Sequence, residues 1–435
     1  MPNETVITAI DLGTDKCTTL IAKLSPETKQ LKVVGVSAVP SRGMRKSQII
    51  DLEQAMETVA ESLDSAERMA GLEVRSCWVA VSGGHIHSQN SKGVVAVAAP
   101  DQEITPLDIE RVIEAARAVS LPSDKEIIHV IPNTFKVDSQ DGIKDPVGMA
   151  GVRLEAEAHI ITAMSVVLKN MHRVLENLGL VSNGFVFAGL ASAEVVLSET
   201  EKELGVCLID IGAGTTSICC YVDGSLVLSS SIPVGARHIT QDIALGCRVS
   251  LDVAEQIKVK LSSERDLALK PQNGETKHEF QARRKKEDEL RLSELTNGEA
   301  SETLSRKVIV EGIIMPRISE LFSIISDRLK AEHVFTSIPA GVVITGGGAE
   351  TIGLVAVAKQ QLKMPARVGL PLELDGLTLD IHRPAFATSI GLLQYGKQHS
   401  VEGESGGFSF ANLAGLGGIG KSAGRALQWI KSLLP

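Results

Sequence analysis

Aromatic side chains are scarce in this sequence of 435 residues: they make up 3% of it, with only 2 Trp and 2 Tyr. The chain also lacks an excess of basic residues, since its formal net charge is -9. Proteins that bind nucleic acid use basic grooves and stacking aromatic rings. The composition therefore argues against nucleic acid as a partner.

Cysteine pairs of the CxxC type and long apolar runs are also missing. Of the 6 cysteines, Cys207, Cys219 and Cys220 lie in apolar segments, which predicts buried thiols in a reducing compartment rather than disulfides or a zinc site. No apolar stretch approaches the length that crosses a membrane. The first residues, Met1–Thr5, lack the basic start of a signal peptide. We expect a cytoplasmic protein.

The chain does contain enough apolar material for a large core, because 43% of its residues are hydrophobic and 22% are charged. These proportions are typical of globular domains. A chain of this length normally forms more than one domain. We therefore expect two lobes with insertions.

One stretch, Asp210-Ile-Gly-Ala-Gly-Thr-Thr-Ser217, lies between the apolar runs Gly205–Ile209 and Ile218–Val222. The pattern predicts a buried strand, a tight turn and a returning strand. Its glycines leave backbone N–H groups open to a phosphate, and its threonines add hydroxyl donors. Asp210 does not favour an anion, so we expect it to face a hydrated Mg²⁺. An ordinary glycine-rich hairpin is the alternative. The residues expected at the phosphate are Gly212, Ala213, Gly214, Thr215 and Thr216.

A second copy of the pattern lies near the N-terminus, where Val6–Ile10 leads into Asp11-Leu-Gly-Thr14 and Thr18–Ala22 follows. Strand, Asp, Gly, Thr and returning strand recur in the same order. Two such loops favour a duplicated domain that clamps one phosphate chain, with Asp11 as a second partner of Mg²⁺. The residues expected at the phosphate here are Gly13, Thr14 and Lys16.

A third glycine loop follows the apolar run Gly341–Thr345 and precedes a helix that we expect to begin near Glu350. Glycines allow a flat group to lie against the backbone. We therefore interpret Gly346, Gly347 and Gly348 as the nucleoside side of the same site.

The three loops together resemble those of the actin-like ATPase superfamily, and the segments between them resemble the family of the bacterial cell-division protein FtsA. The resemblance runs from the N-terminus to about residue 262 and from about residue 303 to about residue 397. Actins, sugar kinases and chaperones do not generally share these segments. The motifs that carry it are Gly43-Met44, Val81-Ser-Gly-Gly-His-Ile86, Asn90-Ser-Lys-Gly93, His129-Val-Ile-Pro132, Asp145-Pro-Val-Gly-Met-Ala-Gly-Val-Arg-Leu154, Ala191-Ser-Ala-Glu194 and Glu203-Leu-Gly205.

The resemblance implies an α/β, actin-like fold, with two duplicated ribonuclease-H-like lobes around a nucleotide cleft and an inserted α/β subdomain. It implies ATP and Mg²⁺ as cofactors, the metal being held through water by Asp11 and Asp210. The expected domains are 1–83 with 161–203 (first lobe, 1A), 84–160 (insert, 1C), 204–240 with 335–397 (second lobe, 2A), 241–334 (2B), 398–420 (flexible Gly-rich linker) and 421–435 (amphipathic helix).

Three further features of the site follow from the resemblance. Gly235 closes on the phosphates. Glu255 and Lys258, one helical turn apart, hold ribose and base, with a plain surface ion pair as the alternative. A Glu or Gln that often supports hydrolysis in relatives is replaced by Ala188 or Gly189. We therefore expect tight ATP binding, at most weak ATPase activity and no confident catalytic residue, with the nucleotide acting as a switch for filament formation.

The segment 263–302 is polar and charged, and we expect a solvated, partly mobile loop. A helix from Leu304 to Leu329 is expected to follow. In the FtsA family, 2B receives the acidic C-terminal tail of the tubulin-like protein FtsZ. The basic residues expected to contact FtsZ are Arg306, Lys307 and Arg317.

The C-terminal residues are amphipathic when they are placed at about 100° per residue. A leucine-rich face, basic flanks and a Trp at the border predict a helix that lies in the interface of an anionic membrane. A helix docked on the protein's own core is the alternative. The residues expected at the membrane are Leu427, Trp429, Ile430, Leu433, Leu434, Lys421, Arg425 and Lys431.

The implied function is that of an ATP-binding, filament-forming cell-division protein that tethers FtsZ to the membrane and helps to recruit later division proteins through 1C. The expected location is peripheral, on the cytoplasmic face of the cell membrane at the division septum. Two other interpretations stay open. One is a PilM-like scaffold of the pilus-assembly type, which lacks an amphipathic tail. The other is a sugar-kinase-type phosphotransferase, for which no acidic base stands out.

Overall fold

The computed structural model describes residues 5–97, 103–263, 276–294, 303–377 and 381–404, and the structural statements below concern these residues. The predicted membrane helix and residues 405–420 of the predicted linker lie outside them. Within the described residues, no helix is both long enough and apolar enough to span a bilayer. The architecture is mixed α/β, and its three main sheets have 6, 4 and 5 strands.

The first lobe begins with the N-terminal hairpin predicted above and a helix that packs on it. The helix starts at the N-cap Asp51, whose side chain accepts a hydrogen bond from the Gln54 N–H, and ends at Gly71 with a φ of 66°. These are the expected start and stop signals. The elements are β1 (Thr5–Leu12), β2 (Lys16–Leu24), β3 (Leu31–Pro40), β4 (Met44–Arg45), β5 (Gln48–Ile49), α1 (Leu52–Ala70) and β6 (Ser76–Val81).

An antiparallel sheet with one helix on its face is then inserted. Thr105 and Asp108 form a capping box at the start of that helix, so its boundary is fixed locally. A Cβ at Gly93 would lie 2.1 Å from the Val112 carbonyl oxygen, which shows why a glycine is needed where helix and sheet meet. The elements are β7 (His87–Ala96), α2 (Pro106–Arg117), β8 (Lys125–Val137), β9 (Gln140–Ile143) and β10 (Arg153–Met164), in the sheet order β7-β10-β8-β9.

The chain then completes the first lobe and enters the second. The first lobe gains α3 (Ser165–Asn177), β11 (Val181–Phe187), α4 (Ala188–Val196) and α5 (Glu199–Leu204). The second lobe begins with β12 (Val206–Ile211), β13 (Thr216–Val222), β14 (Ser225–Ile232), α6 (Arg237–Cys247) and α7 (Leu251–Ser263).

The remaining elements belong to the second lobe, except that β19 pairs with β3 at the edge of the first sheet and α12 packs on the first lobe. They are α8 (Lys277–Asp288), β15 (Glu289–Arg291), β16 (Thr303–Ser305), α9 (Arg306–Ile309), α10 (Met315–Ala331), β17 (Val342–Thr345), α11 (Leu354–Leu362), β18 (Ala366–Val368), β19 (Asp375–Gly376) and α12 (Ala387–Glu404).

The two lobes repeat one topology. Five strands of the first sheet run in the order β3-β2-β1-β6-β11, and the second sheet runs β14-β13-β12-β17-β18. In both, an antiparallel meander is followed by two parallel strands. The predicted duplicated α/β fold is therefore confirmed.

The charged segment 263–302 differs from the expected loop, because its described part, 276–294, holds α8 and β15. Thr276 and Glu279 form a capping box at the start of α8, a signal that the sequence carried. Leu290 and Leu292 are 0% and 1% exposed and join the core of the second lobe. Two apolar anchors therefore hold this part of the segment despite its high charge.

Three element boundaries also differ from expectation. The helix predicted from Leu304 begins at Arg306, because Thr303–Ser305 pair with β15 as a strand, and a π-helical turn separates α9 from α10. A 3-10 turn follows the third glycine loop, so α11 begins at Leu354 rather than near Glu350. Helix α12 continues past residue 397 to Glu404, so the start of the predicted linker is helical.

Candidate functional site

A cavity of about 660 Å³ lies between the two lobes. It is lined by almost all of the residues that the sequence predicted for nucleotide and magnesium. These are Asp11, Gly13, Thr14, Lys16, Asp210, Gly212, Ala213, Gly214, Thr215, Glu255, Lys258, Gly346, Gly347 and Gly348. The three glycine loops, which are distant in sequence, therefore meet at one cleft.

The two Asp-Gly-Thr turns close in the same way. The Gly13 N–H donates to the Lys16 carbonyl at 3.0 Å, and the Gly212 N–H donates to the Thr215 carbonyl at 2.9 Å. The turns also approach each other, since a Cβ at Gly214 would lie 2.5 Å from Thr14 Oγ1. A phosphate chain in this cleft would therefore have backbone N–H groups and hydroxyls on both sides.

Asp11 and Asp210 place one carboxylate beside each of the two turns. Burial raises the pKa of Asp11 from 3.8 to about 6, while Lys16 opposes this rise and Asp210 adds to it. Burial also raises the pKa of Asp210. Burial disfavours the ionised form of both carboxylates. A divalent cation, which prefers oxygen ligands, would stabilise that ionised form when it binds.

Two hydroxyls that the sequence did not single out as site residues hold Asp210. The Ser192 hydroxyl donates to Asp210 Oδ2 at 2.6 Å, and the Thr388 hydroxyl donates to the same oxygen at 3.1 Å. Ser192 lies on α4 and Thr388 on α12, so two different helices fix this side chain. The available signal was a small polar residue inside the apolar stretch Ala188–Val196.

The remaining two predicted residues, Thr216 and Gly235, stand behind the second turn rather than in the cleft lining. The Thr216 hydroxyl donates to the Val234 carbonyl at 2.8 Å. A Cβ at Gly235 would lie 2.5 Å from the Gly212 carbonyl oxygen and 2.6 Å from that of Ala213. Gly235 therefore closes on the phosphate turn from behind, and the close approach requires glycine there.

Glu255 and Lys258, which were predicted to contact the nucleoside, line the same cavity. Lys258 Nζ donates to Glu255 Oε2 at 2.7 Å and to Thr240 Oγ1 at 3.0 Å. The Lys258 side chain is only 12% exposed, and all three residues line the cavity. The pair is therefore part of the cleft wall, not a plain surface ion pair.

The start of α4 brings an apolar residue to the cleft wall, as the sequence predicted. Ala188 is the first residue of α4 and lines the cavity, whereas a Cβ on Gly189 would meet Phe187 and Cys219. Lys16 Nζ lies 3.6 Å from the centre of the Phe386 ring, a cation–π contact that keeps its charge at the cleft. The wall also includes Ser47, Ser82 and Arg237, which the sequence analysis missed.

The basic residues predicted for FtsZ lie away from this cleft, on α9 and α10. The Arg317 guanidinium donates hydrogen bonds to Asp242 and Glu320. The hydrogen bond to Asp242 raises the pKa of Arg317. Lys307 Nζ lies 3.7 Å from Glu311 Oε2, with both side chains exposed. Arg306 is the first residue of α9. The predicted membrane residues, from Lys421 to Leu434, lie outside the described residues.

Two family models match the sequence: "SHS2 domain inserted in FTSA" over residues 83–162, and "Cell division protein FtsA" over residues 207–391. The curated protein "Cell division protein FtsA" of Pseudomonas aeruginosa is 36% identical over 92% of this chain and 91% of its own length. The protein of that name from Escherichia coli is 35% identical over 92% of each chain. The one from Bacillus subtilis is 33% identical over 94% of this chain and 87% of its own.

Solved structures agree on the fold. The PilM–PilN type IV pilus biogenesis complex matches with a TM-score of 0.61 at 16% identity, over 91% of this chain and 99% of that chain. MreB5 of Spiroplasma citri bound to ADP matches with a TM-score of 0.51 at 13% identity, over 92% and 98%. These similarities confirm the actin-like fold. Because its sequence relatives are 33–36% identical over most of its length, the chain belongs to the FtsA family of cell-division proteins.

Proposed function

We propose that this protein binds Mg·ATP between its lobes and uses the nucleotide as a switch for forming filaments that hold FtsZ at the membrane. The observation that carries the proposal is that Asp11 and Asp210, each beside a glycine turn, line one cavity of about 660 Å³. Such a cavity is of the size that small-molecule ligands occupy. The third glycine loop and the Glu255–Lys258 pair line the same cavity.

Magnesium fits the chemistry of these residues. Mg²⁺ prefers oxygen ligands and keeps several waters, so one or two carboxylates and phosphate oxygens are a usual binding set. Asp11 and Asp210 would hold the ion through its waters, and Lys16 would contact a phosphate oxygen as a point charge. Bound Mg²⁺ would supply charge neutralisation for the phosphates.

Turnover by this site should be slow. Phosphoryl transfer to water depends on a residue that orients the attacking water, and Ala188 offers no such group at the start of α4. The nucleotide would therefore remain bound long enough to set the arrangement of the lobes. Filament formation in the triphosphate state is the response that we propose.

Membrane attachment would come from residues 421–435. A helix this short is marginal in water and gains its order on binding lipid. One such anchor holds a single protein weakly, whereas linked anchors on a filament increase the overall affinity by roughly 10²–10⁴. We therefore propose that attachment to the membrane, peripheral and at the division septum, depends on polymerisation.

FtsZ would be held by the basic residues of 2B, and later division proteins by the insert. Because the Arg317 guanidinium already bonds Asp242 and Glu320, an FtsZ carboxylate would have to compete for it. Lys307 is the more accessible charge, with an exposed fraction of 57%. We therefore expect Lys307 to contribute more to FtsZ affinity than Arg317.

Vesicle co-sedimentation tests the proposal. Full-length protein and a chain that ends at Glu404 are mixed with anionic vesicles, Mg·ATP and a peptide of the FtsZ C-terminal tail. Ending at Glu404 keeps the part of α12 that packs on Trp78. We expect full-length protein to carry the peptide into the pellet with ATP, and the shortened chain to bind ATP and peptide but stay in solution. Equal sedimentation of both chains would contradict the membrane role.

A further inference from the structure

The short hairpin of β4 and β5 places its turn, Lys46–Ser47, against both phosphate turns. The Ser47 N–H donates to Thr14 Oγ1 at 2.9 Å. The Ser47 hydroxyl lies 2.9 Å from Thr215 Oγ1, within hydrogen-bond distance. A Cβ at Gly214 would lie 3.0 Å from the Cα of Lys46. A single residue of the first lobe thus bridges the tips of the two turns.

The backbone of this turn is held in an unfavourable conformation. Lys46 and Ser47 have φ values of 49° and 59°, in the left-handed region that residues other than glycine rarely adopt. The base of the hairpin fixes them there, because the Gly43 carbonyl accepts the Ile50 N–H at 2.8 Å and the Met44 side chain is buried. Such conformations persist where the surrounding structure enforces them, and they concentrate at functional sites.

We propose that Ser47 contacts the terminal phosphate of a bound nucleoside triphosphate and so distinguishes it from a diphosphate. The inference rests on the proposed nucleotide function. The glycine of the nucleoside loop, Gly346, packs on Asp210 and Ile211 at the strand end, whereas Ser47 bonds the threonines at the turn tips. A phosphate chain that starts at the nucleoside loop and follows the turns has its last group beside Ser47.

The chemistry of the serine fits this role. A hydroxyl rotates to donate to whichever acceptor is best, and a hydrogen bond to an ionised phosphate is roughly twice as strong as one between neutral groups. A terminal phosphate would therefore draw the Ser47 hydroxyl away from Thr215. A diphosphate ends earlier and would leave the two hydroxyls bonded to each other.

Calorimetric titration of the full chain with Mg·ADP and with a non-hydrolysable Mg·ATP analogue tests the inference. Ser47→Gly removes the hydroxyl and also relieves the backbone, so the fold should be retained. Lys46→Gly is the matched control. It relieves the backbone of the neighbouring residue in the same turn, and it keeps the Ser47 hydroxyl. The Lys46 side chain is exposed. We expect Ser47→Gly to weaken triphosphate binding about tenfold and to leave the ADP affinity within about twofold, with Lys46→Gly close to wild type for both.

Equal losses for ATP analogue and ADP in Ser47→Gly would overturn the inference, because they would mean that the turn only shapes the cleft. Unchanged triphosphate binding would overturn it as well. Both results leave the proposed nucleotide function intact. Only a wild-type protein that binds neither nucleotide would contradict the proposed function itself, and this inference would fall with it.

Discussion

The two Asp-Gly-Thr turns have the same backbone but hold their carboxylates differently. Asp210 is 8% exposed and accepts hydrogen bonds from Ser192 and Thr388, on two different helices. At Asp11, the charge of Lys16 opposes the rise in pKa that burial causes. Duplication thus produced two similar strand-turn-strand units, of which the second has a fixed carboxylate and the first has one that responds to its charged neighbours.

This difference assigns separate roles to the two halves of the cleft. A carboxylate held by two hydroxyls keeps its direction whether or not a cation is bound, so Asp210 is preorganised for the Mg²⁺ that we propose. Burial disfavours the charge of both carboxylates, and at Asp11 it is the charge of Lys16 that opposes this effect. The second turn therefore holds its carboxylate in a fixed direction, whereas the carboxylate of the first turn depends on a charged neighbour.

The largest expected effect concerns the glycines at which an added Cβ would collide with the backbone of a turn. In Gly235→Ala, the new Cβ would lie 2.5 and 2.6 Å from two carbonyl oxygens of the second turn, so the turn must move. In Gly13→Ala, the Cβ would meet one carbonyl oxygen of the first turn at 2.9 Å. We expect Gly235→Ala to abolish measurable Mg·ATP binding in a filter or calorimetric assay, and Gly13→Ala to weaken it. Equal losses would remove the distinction between a packed second turn and an open first turn.

A smaller effect is expected from the hydroxyls that hold Asp210. Thr388→Ala should lower Mg·ATP affinity about tenfold, because a hydrogen bond to a charged group is lost. Ser389→Ala on the same helix is the control: its hydroxyl is fully buried, and no partner for it is found within the described residues. Nucleotide titration and thermal melting of both variants give the comparison. If the two variants lost affinity equally, α12 and not the hydroxyl would be responsible.

The smallest expected effect is a pH dependence that comes from Asp11. Its pKa is 3.8 in the unfolded chain and about 6 when folded, so the folded protein binds the extra proton between these values. This contribution to stability is complete below pH 3.8 and is lost as the pH rises through about 6. Without nucleotide, Asp11→Asn should therefore flatten the decline of melting temperature between about pH 4 and pH 6. If the melting temperature declined equally with pH in wild type and in Asp11→Asn, the assignment to Asp11 would be contradicted.

The same proton competes with magnesium. Mg·ATP affinity in wild type should fall as the pH is lowered through about 6, because the protonated Asp11 no longer attracts the ion. In Asp11→Asn the affinity should be lower than in wild type above about pH 6 and less dependent on pH. Titrations in buffers of constant ionic strength give the measurement.

Much of this cleft was readable in the sequence because its turns are local. Asp11, Gly13 and Thr14 follow a strand directly, as do Asp210, Gly212 and Thr215, so pattern and chemistry coincide. Ser47, Ser192 and Thr388 reach the site only through tertiary packing. The three residues lie far apart in the sequence, and none of them follows a strand–turn pattern of the kind that marked the two phosphate turns.

The described part of the charged segment gives the opposite lesson. Its composition predicted a solvated loop, yet Thr276 and Glu279 cap a helix and Leu290 and Leu292 enter the core. The prediction followed the high average charge of the segment and overlooked the two leucines that become buried. A short stretch is fixed by its few buried residues and its capping signals, and not by the mean polarity of its neighbours.

Helix α12 begins beside Asp210 in the cleft and packs against a tryptophan further along its length. Thr388 bonds Asp210, while the Tyr395 ring lies 5.2 Å and the His399 ring 5.5 Å from the ring of Trp78. The chain has 2 tryptophans, and the other, Trp429, is absent from a chain that ends at Glu404. In that shortened protein Trp78 is the single tryptophan. Its fluorescence emission would report whether nucleotide binding moves α12, from which the C-terminal residues continue.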